Sequence, residues 1–193
     1  MTGRAGRANP SSPLKEIFAM SSEHPTLHIL CGKITSGKST FAAQLAAAPG
    51  TVLVAEDTWL DAIFAEELHS LVDYVRCSTK LRSAMGRHVA AMLDAGVSVV
   101  LDFPANTVAQ RGWVGGILRG VEVAHQLHVL NVPNEVCLAR LRARNVAGDH
   151  PFAVTEVQSR QFASHFAAPT PDEGFNLVIH DDPLDAVPGT LCK

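Results

Sequence analysis

Apolar and polar positions along this chain fall into blocks whose period keeps changing. Residues 27–31, Leu-His-Ile-Leu-Cys, form a short, mostly apolar run, and Phe41-Ala42-Ala43-Gln44-Leu45-Ala46-Ala47 follows with helix-forming composition. Ala48-Pro49-Gly50 breaks that helix, and Thr51-Val52-Leu53-Val54-Ala55 predicts a buried strand running out into Glu56-Asp57. Over 58–72, Trp59, Leu60, Ile63, Phe64, Leu68 and Leu71 recur at helical spacing. A long helix is predicted next, capped by Ser78 or Thr79, striped by Leu81, Met85, His88 and Met92, and ended at Gly96. Residues 97–101 read as the third strand, ending in Asp102, after which Asn106 or Thr107 caps a helix to Leu118. Residues 124–132 read as the fourth strand, and Pro133-Asn134 opens a helix carrying Arg140, Arg142 and Arg144. Thr155 opens a further helix, Pro169 and Pro171 bound a loop, and 176–180 read as the fifth strand. Strand and helix alternate with no repeat or linker, so residues 23–193 are expected to form one α/β domain on a five-stranded parallel sheet. Residues 1–22 are expected to be a disordered arm, with Gly3, Gly6, Pro10 and Pro13 and no apolar stretch of leader type.

Between the first strand and its helix stands Gly32-Lys33-Ile34-Thr35-Ser36-Gly37-Lys38-Ser39-Thr40, which carries the phosphate-binding pattern G-x-x-x-x-G-K-S. Gly32 and Gly37 permit backbone conformations that a Cβ resists, and the loop amides then point inward at polyphosphate oxygens. Lys38 places a cation on the β- and γ-phosphates, and the Ser39 hydroxyl can ligate Mg²⁺. Gly32, Lys33, Thr35, Ser36, Gly37, Lys38, Ser39 and Thr40 are the expected nucleotide-binding residues, with ATP and Mg²⁺ as the expected cofactors.

Composition narrows the alternatives. Apolar residues make up 47% and charged ones 18%, and the net charge of −3 provides no basic field for an extended nucleic-acid footprint. Cys31, Cys77, Cys137 and Cys192 stand far apart, with no CxxC or zinc spacing, which fits a reduced, cytoplasmic setting. Of the nine histidines, His125 and His128 stand nearest each other in sequence, and on a strand they face opposite sides. No run reaches membrane-spanning length, so no membrane partner is expected.

The acidic residues at the strand ends complete the candidate site, since ligands of parallel sheets bind beyond the carboxyl ends of the strands. A hydroxyl acceptor needs a carboxylate to orient it and take its proton, and Glu56 or Asp57 follows the second strand in the right place. Asp102 closes the third strand as a Walker-B-type aspartate would, where it would hold Mg²⁺ with Ser39. The residue after it is Phe103 rather than a second carboxylate, and no guanine-reading motif occurs, which points away from a motor or switch and towards transfer onto an acceptor. Arg140 and Arg144, four apart, share a helix face and are candidates to close over a γ-phosphate from a lid around 134–152. Arg111, Trp113 and Arg119 are weaker candidates, with Trp113 expected in the core and Arg119 in solvent.

GKITSGKST, the strand-to-acid step VLVAED, LDFPANTVAQRGW and NVPNEVCLARLRARN together resemble the small P-loop kinases that include polynucleotide 5′-kinases, chloramphenicol phosphotransferase and zeta toxins. The segment FASHFAAPTPDEGFNLVIH is similar to the tails of bacterial ATP-binding predicted kinases. The resemblance implies a five-stranded parallel P-loop kinase core with helices on both faces. It implies Asp57, rather than Glu56, as the substrate-activating carboxylate, and Arg140 or Arg144 as the lid arginine. The expected activity is transfer of the ATP γ-phosphate to a hydroxyl of a small molecule. The alternatives are a nucleotide or polynucleotide-end kinase and an ATP-binding sensor with little turnover. The apolar and acidic stretch after Asp57, with Asp61, Glu66, Glu67 and Asp73, is unlike a channel for a polynucleotide.

Overall fold

The computed structural model describes residues 25–147 and 154–181. The arm expected over 1–22, the end of the lid segment at 148–152 and Cys192 lie outside them. Five strands, β1 (Thr26–Cys31), β2 (Thr51–Ala55), β3 (Ser98–Asp102), β4 (Ala124–Leu130) and β5 (Leu177–His180), form one parallel sheet in the order β2-β3-β1-β4-β5. The helices are α1 (Lys38–Ala46), α2 (Glu56–Phe64), α3 (Leu71–Asp94), α4 (Val108–Leu118), α5 (Asn134–Ala147) and α6 (Glu156–Ser164). Single 3₁₀ turns occupy Ala65–Glu67 and Pro171–Glu173.

β3 is buried on both faces, which is why Val99, Val100 and Leu101 form a continuous apolar run, whereas β1 and β4 carry His28 and His128. On one face Leu27, Ile29, Val99, Leu101 and Leu127 meet Leu81, Met85, Val89 and Leu93 of α3 and Val114 and Ile117 of α4. On the other, Leu30, Val100 and Leu130 meet Phe41 and Ala42 of α1. The expected strands and sheet are present, with several differences. β2 is an edge strand, so Val52 and Leu53 are exposed and only Val54 is buried, where a buried strand was expected. α3 begins at Leu71, not after Ser78: the Ser70 hydroxyl accepts from the Asp73 amide, while Ser78 lies buried within the helix. Its stripe is Cys77, Leu81, Met85, Val89 and Leu93, with His88 on the solvent side. The helical spacing over 58–72 is broken after Phe64 by the 3₁₀ turn, and α2 starts earlier, at Glu56.

One feature of the second face was not legible in sequence. His28, His128 and His180, on β1, β4 and β5, form a ladder of imidazoles: His28 Nδ1 lies 3.1 Å from His128 Nε2, and His128 Nδ1 lies 3.0 Å from His180 Nε2. Phe41 of α1 packs on the rings of His128 and His180, at centroid distances of 5.3 and 4.7 Å. Among the described residues no group of three or more His, Cys, Asp or Glu side chains is arranged to hold a metal ion. No helix there is long and apolar enough to cross a membrane.

Candidate active site

β1, β2 and β3 all run the same way, so the loop after Cys31, the acids after Ala55 and the terminal Asp102 emerge at one edge of the sheet. The loop at 32–37 is tightly built. A Cβ on Gly32 would stand 2.6 Å from Ser36 Oγ and 3.1 Å from Leu130 Cβ, so only glycine fits there. Gly37 takes a φ of 95° and opens α1, whose first turn has no side-chain cap. No side chain caps its first-turn amides, whereas in α4 and α6 Thr107 with Gln110 and Thr155 with Gln158 form capping boxes. Ser36 Oγ is buried, with no hydrogen-bond partner among the described residues. The loop thus has the backbone form and the uncapped helix start of a phosphate-binding loop.

Lys38 Nζ donates to the carbonyls of Gly32 and Lys33, at 2.8 and 2.9 Å. Burial lowers its pKa, while Asp102 and, more weakly, Asp57 oppose the shift. Burial raises the pKa of Asp102, and the Ser39 hydroxyl bonded to it and the Lys38 charge pull the other way. Ser39 and Asp102 are thus joined and available as a pair for Mg²⁺.

Structure separates the two acids after β2. Glu56 is 2% exposed, and its oxygens are occupied by Arg82 Nη2 at 2.8 Å and the Tyr74 hydroxyl at 2.7 Å. Burial raises its pKa, opposed by those two partners. It joins α2 to α3. Asp57 is half-buried, and its charge is felt by Lys38, Asp102 and Arg144 together.

α5 presents its arginines in two directions. Arg142 is exposed and bonds Glu156 of α6 through Nε at 2.7 Å and Nη2 at 3.2 Å. Arg140 and Arg144 are half-buried, and Arg140 Nη1 and Arg144 Nε find no hydrogen-bond partner among the described residues. Burial lowers the pKa of Arg144, and Asp57 partly restores it. Buried guanidinium nitrogens without acceptors are costly, and an anion arriving beside them would remove that cost.

Asn106 and Gln110, outside the expected set of site residues, hold the loop in place, while the weaker candidate Arg111 proves structural. Asn106, expected as a candidate helix cap and lying in the LDFPANTVAQRGW segment that resembles the kinases, accepts the Gly32 amide on Oδ1 at 2.8 Å, while Thr107 does the capping. Gln110 Oε1 in turn accepts the amides of Asn106 and Thr107, at 2.9 and 3.1 Å. Arg111 is fully buried and structural: it pairs with Glu173 at 2.6 and 2.8 Å and donates to the carbonyls of Ala105 and Ala167, at 3.0 and 2.8 Å. Trp113 packs on the core and donates to Arg82 O, and Arg119 is exposed, as expected. An apolar–polar pattern carries no signal for an asparagine that bonds a glycine 74 residues away.

No curated protein matches the chain. Among solved structures, a sugar kinase from Janibacter sp. HTCC2649 is 20% identical, with 81% of this chain and 84% of that one covered at a TM-score of 0.56. The Mycobacterium tuberculosis APS kinase CysC, in complex with AMPPNP and APS, is 17% identical, covering 83% and 91% at 0.54. Chaetomium thermophilum Kti12, in complex with ADP-AlF3, is 15% identical, covering 81% and 90% at 0.60. At these identities the likeness is one of fold. A family described as AAA domain, AAA_33, matches residues 27–169 and so spans every site element from the phosphate loop to α5. The chain belongs to that family, with the fold of the small P-loop kinases.

Proposed function

We propose that this protein is an ATP- and Mg²⁺-dependent phosphotransferase that moves the γ-phosphate to a hydroxyl group of a small molecule. The observation that carries the reading is the division of labour between neighbouring acids. Glu56 is consumed by Arg82 and Tyr74, whereas Asp57 sits in the field of Lys38, Asp102 and Arg144. A carboxylate has a use there if an acceptor hydroxyl approaches the phosphate site. The loop amides, Lys38 and the uncapped start of α1 would hold the phosphates, and Ser39 with Asp102 would hold the metal. Mg-ATP, when bound, supplies a transferable phosphoryl group whose negative charge the metal shares. Asp57 orients the acceptor O–H and takes its proton as the new O–P bond forms and the bond to ADP breaks. Arg140 and Arg144 neutralise the charge that gathers on the phosphate oxygens. The exposed acids Asp61, Glu66 and Glu67 beside α2 favour a small acceptor over a polynucleotide end.

The test is ADP release from Mg-ATP measured with and without a panel of hydroxylated small molecules and with a 5′-hydroxyl oligonucleotide. Release that rises with a small acceptor, and is lost in Asp57→Asn, is the expected result. Tight ATP binding with no acceptor-dependent release would leave an ATP sensor instead. A response to the oligonucleotide alone would move the acceptor to a nucleic-acid end.

A further inference from the structure

Thr35 is the one non-glycine residue with positive φ among the described residues, at 59°. For a β-branched side chain this is an outlying conformation, which persists only where surrounding contacts impose it. One contact of this residue crosses out of the loop. Thr35 Oγ1 lies 2.6 Å from the carbonyl of its neighbour Ile34 and 2.6 Å from that of Cys137. The hydroxyl has one proton, and of these two acceptors only Cys137 O ties the loop to another element. Cys137 belongs to the first turn of α5, and Arg140 and Arg144 follow it at i+3 and i+7, on the same face. A helical carbonyl already receives an amide from four residues on, so the hydroxyl is a second donor that the helix does not need for its own formation. A weaker tie runs alongside, from Lys33 Nζ to Val132 O at 3.4 Å, just before α5.

We infer that Thr35 is a positioning residue that couples the phosphate loop to α5, so that the placement of Arg140 and Arg144 depends on the loop holding its left-handed turn. The inference deepens the proposed reaction and rests on reading those arginines as phosphate ligands. The loop that receives phosphate and the helix that carries the arginines then respond as one unit, and loss of the hydroxyl uncouples them.

Hydrogen exchange over residues 134–147, followed in the free protein and with Mg-ATP, tests this in Thr35→Ser, Thr35→Gly and Thr35→Ala. All three remove the branched methyl; only serine keeps the hydroxyl. Glycine accepts the positive φ but loosens the loop, and alanine guards against that effect. The expected result is exchange faster by about fivefold to tenfold in both hydroxyl-less variants, the factor that one net hydrogen bond is worth. The serine variant should stay within about twofold of the parent, since the same bond is retained. With substrate, the glycine and alanine variants should lose kcat, and serine should restore it. Equal acceleration in serine, acceleration in glycine alone, or none in glycine and alanine would each overturn the coupling. The arm without nucleotide needs neither ATP binding nor turnover. A protein that bound no ATP would remove the proposed reaction, while this arm still decided the coupling.

Discussion

Glu56 and Asp57 are adjacent and chemically alike, yet Glu56 is buried between Arg82 and Tyr74 while Asp57 is half-buried in the field of Lys38, Asp102 and Arg144. Glu56→Gln leaves Arg82 without its buried counter-charge. It should destabilise the fold by roughly 3 kcal/mol, as the breaking of a buried pair does, read as a lowered Tm. Asp57→Asn keeps the shape and removes the proton acceptor. Phosphoryl transfer should fall by about 10²- to 10⁴-fold with ATP affinity and Tm near those of the parent. Parallel losses of ATP affinity and turnover would make Asp57 a metal partner instead. Lys38→Ala should abolish turnover with a small change in Tm, because its ammonium bonds only loop carbonyls and anchors no core side chain. An alanine variant with normal ATP affinity and normal turnover would sink the phosphate-loop assignment.

At the scale of elements, α5 serves two neighbours at once. Arg142 is spent on Glu156 at the surface, where an exposed ion pair matters little, so Arg142→Ala should leave turnover and Tm close to the parent values. Arg140→Ala and Arg144→Ala each remove a half-buried guanidinium with one buried nitrogen, Nη1 or Nε, that has no acceptor among the described residues, so neither should cost much stability. Both should lower kcat, by up to about 10³-fold if the lost group meets the γ-phosphate. Steady-state kinetics on the three variants separates the two faces of the helix. Full activity in both Arg140→Ala and Arg144→Ala would reduce α5 to ordinary surface.

Two long-range features hold the whole molecule. Arg111 pins α4 to the segment before β5 through Glu173 and two carbonyls. Arg111→Ala leaves those acceptors unmet and opens a cavity, a loss of roughly 3–5 kcal/mol that chemical denaturation would measure. The histidine ladder makes stability depend on pH. Burial, then the charges of His28 and His180, bring the His128 pKa down from 6.5 to about 4, and burial lowers His28 and His180 as well. A histidine depressed in the folded state binds its proton more readily when unfolded. Its contribution is whole above pH 6.5 and is lost as pH falls towards 4. For His128 alone the loss is about 3 kcal/mol. The Tm of the parent should therefore fall more steeply between those pH values than that of His128→Phe. Parallel curves would show that the ladder is not titrating.

The stretch from 27 to 47 carried its strand, loop and helix in local periodicity and in the spacing of Gly32, Gly37 and Lys38, because a phosphate loop is built almost wholly from contiguous backbone. The alternation of elements was likewise enough for a parallel α/β sheet, and i, i+4 spacing was enough to set Arg140 and Arg144 apart from Arg142. Tertiary structure alone decided the rest. Strand order put β2 at an edge, which no property of Thr51–Ala55 announces. Burial against Arg82 and Tyr74 distinguished Glu56 from Asp57, which the residues themselves had left open. Asn106 on Gly32, Glu173 on Arg111 and the ladder of three histidines are pairings across 52 to 100 residues. Local pattern cannot encode them, since it records which face a side chain occupies and not which distant strand or loop that face will meet.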